Sequence, residues 1–214
     1  MELKHALPLI SLLLVVLNSC APVFSELQSA RTVGKGNIEA TGAFSTVSFT
    51  NEGESEHAQN NIGIQAGYGL SDVVDLRVRY EYLWLDKSAD AGGVNILGFG
   101  PKFSLLKDRI AGYVPLGFAF GKDVETPSDT WQIHPTLLGT IPAGDFFEIN
   151  PSFKVLLPFK KELETTVAFN LGLGFNVNDK VTIRPEYGML FNPGETGHYG
   201  QFSIGLTINP QGRP

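Results

Sequence analysis

From about residue 36 to residue 208 apolar and polar or small residues alternate in steps of two, the period of a β-strand with two different faces. In residues 61–70, Ile62, Ile64, Ala66, Tyr68 and Leu70 share one face, while Gly63, Gln65, Gly67 and Gly69 share the other. Leu76, Val78, Tyr80, Tyr82 and Trp84 likewise oppose Arg77, Arg79 and Glu81. The same rule runs through residues 93–105, 109–121, 131–141, 147–157, 163–175, 181–191 and 202–208. A less regular stretch over residues 36–49, whose faces the pattern does not assign, brings the count to about ten. Many segments are ten residues or longer, against about 5–6 for an ordinary strand and about 9–11 for one tilted across a bilayer.

Alternation suits two opposite architectures. A soluble barrel turns its apolar face inward, whereas a transmembrane barrel turns it toward lipid and keeps polar and small residues inside. Connection lengths distinguish them. Short turns at 71–72, 107–108, 142–145 and 176–179 follow the even strands, and longer polar loops at 50–60, 86–92, 122–129, 159–162 and 192–198 follow the odd ones. Up-and-down strands then carry short turns on one rim and long loops on the other, the asymmetry of outer-membrane barrels. Aromatic residues gather toward both strand ends: Tyr82, Trp84, Phe120, Trp131, Phe191 and Tyr199 on the loop side, and Tyr68, Phe103, Phe147 and Phe175 on the turn side. Rings at these levels suit the water–lipid boundary. An even strand count predicts both chain ends on the short-turn, periplasmic rim.

The N-terminus reads as an address. Lys4 and His5 precede an apolar run over residues 6–17, too short to span a membrane but suited to a secretory signal. It ends at Leu17-Asn18-Ser19-Cys20, which resembles the lipobox of bacterial lipoproteins, although Asn18 is a less usual occupant of its position. That resemblance implies a signal peptide over 1–19 and lipidation of Cys20. Residues 20–35 are then a polar tether from a lipid in the inner leaflet of the outer membrane, 36–209 the barrel and 210–214 a C-terminal tail.

Taken together, residues 37–208 resemble the bacterial outer-membrane β-barrel class. The expected fold is all-β, an antiparallel up-and-down transmembrane barrel of about ten strands. Ser203-Ile204-Gly205-Leu206-Thr207-Ile208 is similar to the final-strand signal of that class, which implies recognition by the barrel-assembly machinery. Many members finish on an aromatic residue, whereas this chain continues through Asn209 to Pro214. The implied surroundings are outer-membrane lipid and, if the lumen is open, small solutes.

Composition narrows the chemistry. With 22 acidic against 16 basic residues, the chain lacks the basic excess that a nucleic-acid partner requires. A single Cys excludes an internal disulfide framework and a Cys-rich zinc site. On the predicted inward face stand Arg77, Arg79, Glu81, Lys102, His134, Glu148, Lys154, Arg184 and Glu186. Their mixed signs favour mutual pairing over a selectivity ring of one charge, and ten strands lie near the filled end of barrel sizes. The interior is therefore either a salt-bridged polar plug or a narrow gated pore, with neighbouring arginines or loops filling the space beside the inward glycines. His134, Thr136 and Glu148 form the one faint catalytic arrangement, but with an inward-facing Thr it falls short of an activated nucleophile, and no catalysis is expected. His57 and His198 fall in predicted loops, Glu52, Glu54 and Glu56 on a solvated surface, and no cofactor or metal site is expected. The competing architecture is a lipid-anchored, soluble lipocalin-like barrel binding an apolar ligand, in which Phe99, Phe153 and Phe169 would converge at the centre.

Overall fold

The computed structural model describes residues 23–84 and 93–212. The strands are β1 (Ile38–Asn51), β2 (Glu54–Gly69), β3 (Val74–Trp84), β4 (Val94–Leu106), β5 (Ile110–Tyr113), β6 (Leu116–Phe120), β7 (Gln132–Ile133), β8 (Thr136–Gly139), β9 (Ile141–Pro142), β10 (Phe147–Pro158), β11 (Thr166–Asn176), β12 (Val181–Phe191) and β13 (His198–Ile208). β5 and β6 are two halves of one stave, and β7, β8 and β9 are three pieces of the next, so the wall has ten staves. Neighbouring staves are antiparallel, and β13 pairs with β1 from Ala40↔Ile208 to Thr50↔His198, which closes the barrel.

Proline explains the interrupted staves. Pro115 and Pro135 lack an N–H and stand where β5 gives way to β6 and β7 to β8. The wall remains hydrogen-bonded there because proline keeps its acceptor: the N–H groups of Val114, His134 and Val155 donate to the carbonyls of Pro101, Pro115 and Pro135 at 3.1, 2.9 and 3.0 Å.

The faces are those of a membrane barrel. Ile64, Leu171, Phe202 and Ile204 are among the many large apolar residues exposed on the outside. Phe99, Phe153 and Phe169 lie there too, with Phe153 and Phe169 in ring contact at 5.0 Å, while Lys102, Glu148 and Arg184 are buried inside. The lipocalin-like alternative required the reverse. Aromatic contacts recur near the rims, among them Phe118–Trp131 at 4.4 Å and Phe147–Phe175 at 5.2 Å.

β1 shows why its faces were illegible. Glu39, Thr41, Ala43 and Ser45 point inward, but Ala40 and Gly42 stand on the outward face beside Ile38 and Phe44, so both faces carry small residues. The expected loop over 50–60 is also not a loop. β1 runs to Asn51 and β2 starts at Glu54, joined by Glu52 and Gly53 with φ of +52° and +85°. Two successive positive φ values are the signature of the tight hairpin turn that matches strand twist. Apolar alternation fades here while strand pairing continues, because alternation records contact with lipid and not the presence of a strand. Glu52, Glu54 and Glu56 are exposed on this arm, and His57 lies within β2, its Nε2 3.2 Å from Asn60 Oδ1. His198 opens β13 and stacks on Phe191 at 5.5 Å. The expected loop over 86–92 falls outside the described residues.

The largest departure from expectation precedes β1. Residues 23–33, read from the sequence as part of a tether, run through the interior of the barrel, and all but Arg31 are buried. Val23 packs on Leu83 and Val94 at the loop rim, and Val33 lies at the turn rim, its N–H donating to the Asp75 carboxylate. The start of β1 and the end of β13 do share the turn rim, where Ile38 N–H donates to the Gln211 side chain. The segment upstream, however, has crossed back to the opposite rim. A polar stretch gave no sign of this because a polar lumen buries polar chain as readily as water solvates it. Cys20 and the signal segment lie outside the described residues.

Candidate functional site

Among the described residues, the lumen is where the fold gathers charged side chains in quantity. All nine residues expected inside do point inward, but they do not form one mutual network. Arg184 pairs with Glu148 at 3.0 Å and Arg79 with Glu81 at 2.8 Å. Arg77 instead pairs with Glu39 at 2.9 Å and lies 3.5 Å from Asp75, two acids not singled out from the sequence. Glu39 was hidden by the irregular first strand, and Asp75 by its position beside a turn.

The remaining charges are spent on the threaded segment. Lys154 pairs with Glu26 at 2.6 Å, and Arg31 reaches Glu148 at 3.4 Å. Both carboxylate oxygens of Glu186 take backbone N–H groups, those of Glu26 at 2.7 Å and Leu27 at 2.9 Å. Two successive N–H groups converge on one carboxylate because Leu27 adopts φ of +51°, a left-handed turn that makes a small anion-binding concavity. Asp75 accepts from Val33 N–H and Thr140 Oγ1 from Ala30 N–H. Carbonyls are met in the complementary way: Asn170 donates to Phe24 O, Arg79 to Ser25 O, Gln65 to Glu26 O, and Lys102 Nζ to both Ser29 O and Arg31 O.

The match between wall and segment is a physical necessity. A segment without strand partners would leave its polar groups unsatisfied in a water-poor interior, at roughly 1–3 kcal/mol each. The barrel wall supplies acceptors for its N–H groups and donors for its carbonyls. Phe24 contributes the apolar part, seated among Val47, Leu156, Ala168 and Leu190 near the loop rim.

Inward glycines make the room. A Cβ on Gly63 would stand 2.4 Å from the Glu81 carboxyl carbon, and one on Gly174 2.6 Å from Glu148 Cγ. Charged neighbours thus occupy the space those glycines vacate. At Gly188 and Gly205 a Cβ would first meet the wall, Asn170 Oδ1 at 2.1 Å and Thr41 Cγ2 at 3.1 Å, and then the threaded segment, Phe24 at 3.1 Å and Leu27 at 3.5 Å.

His134 is inward but takes no part in the ionic network, and its Nε2 has no hydrogen-bond partner. Thr136 Oγ1 donates to the His134 carbonyl and not to its ring, while Glu148 is held by two guanidinium groups. The three residues are not arranged as nucleophile, base and orienting acid. Among the described residues, no three His, Cys, Asp or Glu side chains come together as a metal site.

A sequence model of the outer membrane protein beta-barrel domain matches residues 11–209. The chain belongs to that family. It is an integral outer-membrane β-barrel protein of the bacterial envelope. No curated protein matches it. Among solved structures, an outer membrane channel from Pseudomonas putida F1 superimposes with a TM-score of 0.55 at 9% identity, covering 87% of this chain and 100% of that one. The translocator domain of the autotransporter NalP from Neisseria meningitidis gives 0.47 at 11% identity, with 95% of each chain covered. The attachment invasion locus protein Ail of Yersinia pestis gives 0.39 at 13% identity, covering 82% of this chain and 99% of that one. Such identities show likeness of fold alone.

Proposed function

We propose that this protein is a self-sealed outer-membrane barrel, catalytically inert, whose lumen is closed by residues 23–33 and which passes small solutes only when that segment is displaced. The burial of the segment along the barrel axis, with its backbone groups taken by the wall, carries the reading. The eight charged residues of the inward set and His134 then serve as lining of the plugged lumen. Planar-bilayer recording tests it. The whole protein is expected to give no steady current, and a variant in which residues 23–33 are replaced by a Gly-Ser linker is expected to give stepwise currents. Equal, steady conductance of the two would defeat the reading.

We further propose that Cys20 is acylated. Leu17-Asn18-Ser19-Cys20 supports acylation. Labelled palmitate should enter the protein and be lost in Cys20→Ser; an unlabelled wild type would refute acylation.

A further inference from the structure

We propose that the lumen is a binding site for an extended peptide of about ten residues carrying an aromatic residue and, two positions later, an acid; residues 23–33 are its resident ligand and can be exchanged. This rests on the self-sealed reading above and adds what the lumen recognises.

Most of the contacts that hold the segment go to its main chain. Glu186 and Asp75 accept N–H groups, while Asn170, Gln65 and Lys102 donate to carbonyls. Any extended polypeptide in the same direction offers these groups, so this part of the site reads backbone. Side chains add register: Ser25 Oγ accepts from Arg79, Thr32 Oγ1 donates to the Asp72 carbonyl and Arg31 reaches Glu148 at 3.4 Å, and two further side chains are the main anchors. Phe24 fills the apolar seat formed by Val47, Leu156, Ala168 and Leu190, and Glu26 meets the buried Lys154 ammonium at 2.6 Å. The spacing Phe24-Ser25-Glu26 places both anchors on one side of an extended chain, as alternate residues must be. Leu27 adds a shape requirement through its left-handed backbone.

The contacts also come from all round the wall: Asp75 on β3, Lys102 on β4, Lys154 on β10, Asn170 on β11 and Glu186 on β12. A segment of the same covalent chain is not needed for any of them. The link to β1 is a short exposed connection at Lys35 and Gly36, where Gly36 has open space around it. A cut there leaves every contact named above in place.

The test uses the whole protein with a protease site inserted between Lys35 and Gly36, folded first and cut afterwards. A fluorescent synthetic peptide of residues 21–35 is then added, and its anisotropy and the bilayer current are read together. Saturable uptake of the labelled peptide is expected. Peptide carrying Glu26→Lys should bind at least ten times more weakly to the wild-type wall, and Lys154→Glu in the wall should restore it. A scrambled peptide taken up equally well, or a cut segment that neither leaves nor exchanges, would overturn the proposal. The two readings fail separately. If the uncut protein conducts as freely as the cut one, the seal is refuted whatever the peptide does; if the cut opens a current that the peptide neither blocks nor accompanies with binding, the seal stands and the peptide site falls.

Discussion

Phe169 and Asn170 are neighbours in β11, yet their surroundings are opposite. Phe169 is half exposed on the outer face, touching Phe153 and Phe191 at ring distances of 5.0 and 6.5 Å. Asn170 is buried inside, where its amide donates at 3.0 Å to both the Phe24 carbonyl and Ser152 Oγ. The outer residue needs only to be apolar and to suit lipid. The inner one must place a donor within a few tenths of an ångström. A stave therefore carries a tolerant surface and an exacting one in alternation, and mutations should sort by face more than by residue type.

The largest effect is expected of Glu148→Gln. It leaves Arg184 and Arg31 facing an amide in a buried site, and removing one partner of a buried pair costs about 3–5 kcal/mol. Urea unfolding in lipid vesicles should show a loss of that size. A change under 1 kcal/mol would mean that the lumen is wet enough to solvate both guanidinium groups. Next in size is Leu171→Arg, midway along β11 on the outer face, where a cation at bilayer depth costs about 2–4 kcal/mol. Leu171→Phe should be close to neutral by the same unfolding measurement. Equal penalties for Arg and Phe would contradict a lipid-facing position. The smallest effect is expected beyond the membrane at Lys160, which pairs with Asp129 at 2.6 Å on the exposed loop rim. The Asp129 carboxylate raises the Lys160 ammonium above the usual lysine range. Any stabilisation it gives is thus present below that range and lost as pH rises through the raised value. Solvent screening makes it small. Lys160→Ala should leave the unfolding midpoint unchanged at pH 7; a clear drop would show that this loop pair braces the rim.

The outer face was legible because its signal is local. Ile62, Ile64 and Tyr68, or Phe202, Ile204 and Leu206, announce a lipid-facing row from a handful of neighbouring residues. The inner charges were legible by the same rule, since whatever alternates with a lipid-facing row points inward. Their partners were not. Arg77 chose Glu39 and Lys154 chose Glu26, neither of which any short-range pattern nominates, while Asp75 shares the inward face of Arg77 two residues away but was passed over beside a turn. The hairpin around Glu52 and Gly53 was missed for a related reason, because strand pairing continues there after the alternation has faded.

Local patterning along the chain specifies the wall: roughly ten crossings, short turns against longer connections, and which face meets lipid. These follow from a period of two and from turn residues, which act over a few positions. What fills that wall is set by contacts between residues far apart along the chain. The Glu186 carboxylate and the N–H groups it caps are 160 and 159 positions apart in sequence, and a polar segment carries no local mark telling it whether lumen or water will satisfy its backbone.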